Sequence, residues 1–217
     1  MRFRNRADAG LRLAEALAGS PLGESPIVLG LPRGGVPVAA EIARGLKLPL
    51  DVLCVRKLGV PFQPELAMGA VASGGAVVRN EDVIEQFAPT REEFDAVLAA
   101  EQAELERRDR HYRGATASPL QVAGRTVVLV DDGLATGATM EAAVRALRAQ
   151  NAARVIVAVP VGASEACARI GAVADEVVCL TRPMFFNSVG RWYEDFGQTS
   201  DQEVIELLAS AQVDDPE

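Results

Sequence analysis

Several residues on which common site chemistries depend are scarce in this chain. Among 217 residues there is one histidine, His111, and there are three cysteines, Cys54, Cys167 and Cys179. A single histidine leaves a Cys/His zinc site without a ligand set. The cysteines form no C-x-x-C pair. Two lie in strand-like apolar runs and one in a helix-like run, so they read as buried thiols. Positive charge is also short: 22 Lys and Arg stand against 30 Asp and Glu, a net charge of −8. That balance excludes a broad nucleic-acid face, though not a small basic pocket. No apolar run approaches the ~20 residues of a membrane helix. The opening "MRFRNRADAG" is charged and lacks a following apolar stretch, so no signal peptide is read there. A cytoplasmic protein with no membrane or nucleic-acid partner is expected.

What is present is a sizeable apolar fraction, 49%, enough for one α/β domain or one domain with an insertion. From residue 125 the pattern is regular. Apolar runs at 126–131, 154–160 and 175–181 alternate with helical spacing at 138–149 and 164–172. That alternation predicts a parallel sheet covered on both faces. Upstream, 7–18 reads as a helix and "SPIVLGLPRGG" as a strand ending in a Pro/Gly loop. "VPVAAEIARGL" reads as a helix, and "PLDVLCVRKLG" as one strand ending in two cations. "LAMGAVASGGAVV" reads as a hairpin around Gly74 and Gly75. A long amphipathic helix with Phe94, Val97, Leu98 and Leu105 on one stripe marks a helical insertion, 81–118. The aromatic tail, 183–217, reads as a hood.

One stretch carries chemistry: "VVLVDDGLATGAT", residues 127–139. Ligands of a parallel sheet sit at the carboxyl ends of its strands, which is where Asp131 and Asp132 fall. The loop of Leu134, Ala135, Thr136, Gly137, Ala138 and Thr139 runs into a helix. Amides at a helix start hold a phosphate. Two adjacent carboxylates would repel that phosphate but suit neutral hydroxyls, such as a ribose diol. Phosphate plus diol describes a ribose 5-phosphate. A Walker A loop needs a lysine that this segment lacks, and G-x-G-x-x-G is absent. A capped helix with an incidental Asp pair is the competing structural reading.

This stretch resembles the phosphoribosyl-pyrophosphate signature of the type I phosphoribosyltransferases. "GLPRGGVPVA" resembles the family's pyrophosphate loop, with Pro32, Arg33, Gly34 and Gly35 at its tip. "VLCVRKLG" resembles the next strand, whose Arg56 and Lys57 would hold the diphosphate. The arrangement is similar to a bacterial branch of predicted phosphoribosyltransferases. The resemblance implies an open, mainly parallel sheet with helices on both faces, plus the helical insertion and C-terminal hood. It implies Mg²⁺-dependent transfer of ribose 5-phosphate from phosphoribosyl pyrophosphate to a small nitrogenous base. Arg33, Arg56, Lys57, Asp131 and Asp132 would be catalytic, with Mg²⁺ reached through the two aspartates. It also implies a cis peptide after Arg33. The loop "KLGVPFQPELAMG" would be a lid, and its Glu65 is either a proton carrier or a solvated acid. The hypoxanthine/guanine relatives carry an acid where Ala135 stands, which puts that specificity in doubt here. Phe185, Phe186, Trp192, Tyr193 and Phe196 would stack a base, or else form a hood core or dimer contact. His111 is expected to be solvated. A homodimer is expected. A non-catalytic regulator on the same fold and a ribonucleotide hydrolase remain alternatives.

Overall fold

A computed structural model describes residues 2–114 and 119–213, the side chains of residues 65, 212 and 213 excepted. The ends of the 81–118 insertion and of the 183–217 tail therefore lie outside the described residues.

Helix α1 (Arg6–Leu17) starts where Asn5 accepts a hydrogen bond from the Asp8 amide. Strand β1 (Ile27–Gly30), helix α2 (Gly35–Leu46) and strand β2 (Leu50–Val52) follow. The next three strands are β3 (Val55–Val60), β4 (Gln63–Ala72) and β5 (Ala76–Arg79). Helices α3 (Glu81–Phe87) and α4 (Arg91–Arg113) come next. The regular half comprises β6 (Thr126–Val130), α5 (Ala138–Ala149), β7 (Arg154–Val161), α6 (Ser164–Gly171) and β8 (Glu176–Thr181). A 3₁₀ turn (Val189–Trp192) and helix α7 (Asp201–Val213) complete the described chain.

Five strands form a parallel sheet in the order β2-β1-β6-β7-β8. Both faces are covered, because side chains alternate along each strand. Val128 and Val130 of β6 join the core shared with α2, whereas Val127 and Leu129 join the core shared with α5 and α6. Uninterrupted apolar runs are what a doubly covered sheet requires.

The run "PLDVLCVRKLG" is not one strand. It breaks at Leu53 and Cys54. Its first half, β2, is the edge of the parallel sheet; its second half, β3, belongs to a separate antiparallel sheet, β3-β4-β5. The hairpin at Gly74 and Gly75 is present, both with positive φ (87° and 81°), which glycine tolerates. The segment expected as a lid, 57–69, is the end of β3, the β3–β4 turn and the start of β4. The insertion contains two helices rather than one. A capping box of Thr90 and Glu93 starts α4, whose Phe94 and Leu105 are buried while Val97 and Leu98 pack against the same core.

Candidate active site

The strand order reverses direction at β1: β2 lies on one side and β6 on the other. Such a switch point opens a crevice at the strands' carboxyl ends. The loop after β1 and the loop after β6 meet there, joined by the Leu31 amide donating to the Val130 carbonyl at 2.9 Å. The first carries Arg33, Gly34 and Gly35; the second carries Asp131 and Asp132. The approach is close enough to need both glycines. A Cβ on Gly35 would lie 2.6 Å from the Val130 carbonyl oxygen, and one on Gly34 would strike the Asp132 carboxylate. The cis peptide in this loop joins Pro32 to Arg33, one bond earlier than the sequence implied.

A cleft of about 390 Å³ opens at this junction, lined by Arg6, Arg33, Gly34, Asp132 and the segment Phe196–Thr199. Arg6 was missed in the sequence. Its Nε and one terminal nitrogen both reach Asp132 Oδ2, at 2.9 and 2.8 Å. Its other terminal nitrogen donates to the Gly197 carbonyl at 2.6 Å, and its guanidinium lies 4.0 Å over the Phe196 ring. Burial pushes the Asp132 carboxyl up from its ordinary range, and Arg6 opposes that shift. Burial and the neighbouring Asp132 charge push Asp131 up further. One Asp131 oxygen accepts the Asp132 amide at 2.8 Å.

The loop expected to hold a phosphate divides. The Leu134 amide donates to the Val161 carbonyl at 2.8 Å and its side chain is buried, so Leu134 serves the sheet and is not a free donor. Ala135, Thr136, Ala138 and Thr139 are exposed. Gly137 takes a left-handed conformation (φ 81°) immediately before α5. The first amides of a helix lack intrahelical acceptors, so this loop offers an exposed, oriented donor set.

Arg56 and Lys57 do not join Arg33. They are inside β3, where neighbouring side chains point to opposite faces. Arg56 is paired with Glu101 of α4 at 2.6 Å. Lys57 lines a different cavity, about 490 Å³, with Arg79, Arg145, Arg169 and the first residue of α5, Ala138. Glu65 falls in β4, and its side chain lies outside the described part. Arg33 is 3.9 Å from Asp201 at the start of α7. His111 is half exposed, 3.8 Å from the same carboxylate.

The aromatic residues also part company. Tyr193 is buried, 1% exposed, against Phe3 and Phe196, which removes its ring as a platform for a base. Phe186 and Trp192 pack partly on that cluster, while Phe185 is 82% exposed. Cys54 and Cys167 are buried free thiols and Cys179 is half-buried.

The phosphoribosyl transferase domain profile matches residues 4–194, a span that includes both loops and Arg6. The chain belongs to that family. As a phosphoribosyl transferase domain it is 51% identical, over 213 residues, to two Mycobacterium tuberculosis proteins (strains CDC 1551 / Oshkosh and ATCC 25618 / H37Rv) named as candidate phosphoribosyl transferases. The match covers 98% of this chain but 47% of theirs, so this chain spans about half the length of those relatives. The crystal structure of TT1426 from Thermus thermophilus has the same fold. It is 46% identical, with a TM-score of 0.87 over 97% of this chain and 99% of that one. Within the phosphoribosyl transferase domain, no described helix is long and apolar enough to cross a membrane.

Proposed function

We propose that the chain transfers the ribose 5-phosphate unit of phosphoribosyl pyrophosphate to a small nitrogenous base with Mg²⁺, releasing pyrophosphate. One observation carries this reading: Arg33 and Gly34 of the loop after β1 and Asp132 of the acid pair line a single cleft, and the loop that follows the acid pair runs into an exposed helix start. The amides of Ala135–Thr139 would hold the 5-phosphate. Asp131 and Asp132 would accept the ribose hydroxyls. Arg33 and the Gly34–Gly35 amides would face the diphosphate. In the reaction the C1–O bond to diphosphate breaks and its electron pair leaves with the diphosphate, while the acceptor nitrogen bonds to C1 and gives up its proton to solvent. Charge grows on the leaving group, so a cation placed there acts most strongly in the transition state.

Magnesium suits this donor set in one way only. Among the described residues no group of three acidic, histidine or cysteine side chains could cage a metal. The chain offers two adjacent carboxylates, one already held by Arg6. Mg²⁺ is commonly held by one or two carboxylates together with substrate phosphates. Asp131 and Asp132 would hold it beside the donor, where it would neutralise diphosphate charge.

A second reading, a regulator that binds the donor or a nucleotide without transfer, is favoured by the placement of Arg56 and Lys57 outside the cleft. Pyrophosphate release, measured with Mg²⁺ across purine, pyrimidine and simple amine acceptors, separates the two. Release with any acceptor supports transfer. Donor binding without release from any of them supports the regulator.

A further inference from the structure

Resting on the donor-site reading above, we infer that Arg6 is a positioning residue for ribose recognition: it holds Asp132 by one carboxylate oxygen and leaves the other for the sugar. The two N–H contacts from Arg6 converge on Oδ2, at 2.9 and 2.8 Å. Among the described residues, no donor reaches Oδ1. A carboxylate gripped at one oxygen presents the other in a fixed direction. Asp132 lines the cleft, so that direction matters for a hydroxyl arriving there.

Arg6 is itself held from several sides. It is the first residue of α1, whose start is fixed by the Asn5 cap. Its guanidinium donates to the Gly197 carbonyl and lies over Phe196. Its side chain is 13% exposed, a small figure for an arginine beside an open cleft. Opposite stands Gly34: a Cβ there would come within 3.3 Å of the Arg6 Nε, so the pyrophosphate-loop backbone closes over the ion pair. One guanidinium therefore touches Asp132, the C-terminal segment and the space before the Pro32–Gly35 loop. A planar, three-nitrogen fork can serve two acceptors and a ring at once. A lysine ammonium cannot reproduce that arrangement.

The test compares two probes by calorimetry. Ribose 5-phosphate reports phosphate loop and diol together; orthophosphate reports the phosphate loop alone. Arg6→Gln is expected to weaken ribose 5-phosphate by about tenfold, the loss of one charge-assisted contact, and to leave orthophosphate unchanged. Arg6→Lys restores the charge but not the fork, so it should recover only part of the loss. In an Asp132→Asn background, Arg6→Gln should add little, because both changes remove the same interaction. Full ribose 5-phosphate affinity in Arg6→Gln overturns the inference. So does an equal loss for both probes, which would make Arg6 a structural residue. Should Arg6→Gln not fold, Arg6→Lys decides, and wild-type affinity there overturns it too. A wild type that ignores ribose 5-phosphate overturns the donor-site reading and this inference with it. A wild type that binds it, with unaltered Arg6 variants, overturns this inference alone.

Discussion

The phenol of Tyr193 donates to the backbone carbonyl of Asp132 at 2.6 Å. A residue read either as a base platform or as part of a hood core fastens the acid loop to the tail of the chain. The bond satisfies a carbonyl that the sheet leaves free at the end of β6. Tyr193→Phe should therefore destabilise the fold by about 1 kcal/mol, the net worth of a buried hydrogen bond. Urea unfolding measures it. Donor binding should weaken as well, because the loop carrying Asp132 loses its anchor. A variant with unchanged stability and unchanged donor affinity would remove Tyr193 from any account of the site.

The exposed start of α5 leads to a second expectation. Crystals soaked in sulfate should show an anion against the backbone of Ala135–Thr139, where helix-start amides point outward. Leu134 should stay out of contact, since its amide is already given to Val161. An ordered sulfate held only by Lys57, Arg145 or Arg169 side chains, out of contact with the Ala135–Thr139 backbone, would place the phosphate elsewhere.

Arg33 and Lys57 should behave differently. Arg33→Ala removes the cation assigned to the leaving diphosphate and should cut turnover by roughly 10²–10³, as for loss of a preorganised donor. Lys57→Ala acts in another cavity and should cost less than roughly tenfold on the same scale. Steady-state rates of pyrophosphate release compare them directly. Equal losses would show that β3 delivers Lys57 to the diphosphate after all.

Glycine at position 35 is required by packing. Gly35→Ala would force a methyl against the Val130 carbonyl oxygen and the Asp131 Cα, both backbone atoms of the neighbouring strand end. Overpacking of this kind costs about 1–3 kcal/mol. Thermal unfolding should detect it, and the melting temperature should fall even without ligand.

Acid should loosen the insertion before the sheet. The hydrogen bond from the Tyr112 hydroxyl holds the Asp201 carboxyl below its usual range, helped by Arg33 and His111. A carboxyl lowered in the folded state adds stability above its unfolded pKa. That stability is lost as pH falls through the lower, folded value. Asp201 ties α4 to α7, so its protonation frees that contact. Wild type should thus lose melting temperature more steeply than Asp201→Asn as pH falls from about 5 toward 3. Parallel curves would assign the acid loss to other groups.

The parallel half of the fold was legible because each of its strands is one short apolar run and each helix carries its own period. Helix α5 begins and ends where its spacing placed it. The break between β2 and β3 was not legible. "LDVLCVRK" is continuously compatible with one strand, and nothing local signals that the chain changes sheets at Leu53 and Cys54. That omission put Arg56 and Lys57 at a strand end, whereas both lie within β3. The second helix boundary in the insertion did have a signal: Pro89 followed by the Thr90/Glu93 capping box. The acid pair and the glycine loop were visible as local strings. Arg6 was not, because its partner Asp132 is 126 positions away and an arginine in an N-terminal helix has no distinguishing neighbours. Tyr193 was visible as an aromatic, but its burial depends on Phe3, at the other end of the described chain.

That last pairing has a bearing on how the protein comes into being. Phe3 and Tyr193 form a parallel bridge, and the Arg2 side chain reaches the Tyr193 carbonyl across 191 positions. A ribosome making this chain releases Arg6 of the cleft long before the Phe196–Thr199 wall. Domains can begin to order as they emerge, but contacts of such separation must wait for the late residues. A product interrupted before Trp192 would contain every strand of the parallel sheet and still lack the wall that Phe196–Thr199 supplies. Donor binding in such fragments would therefore report the arrival of the Phe196–Thr199 segment rather than formation of the sheet.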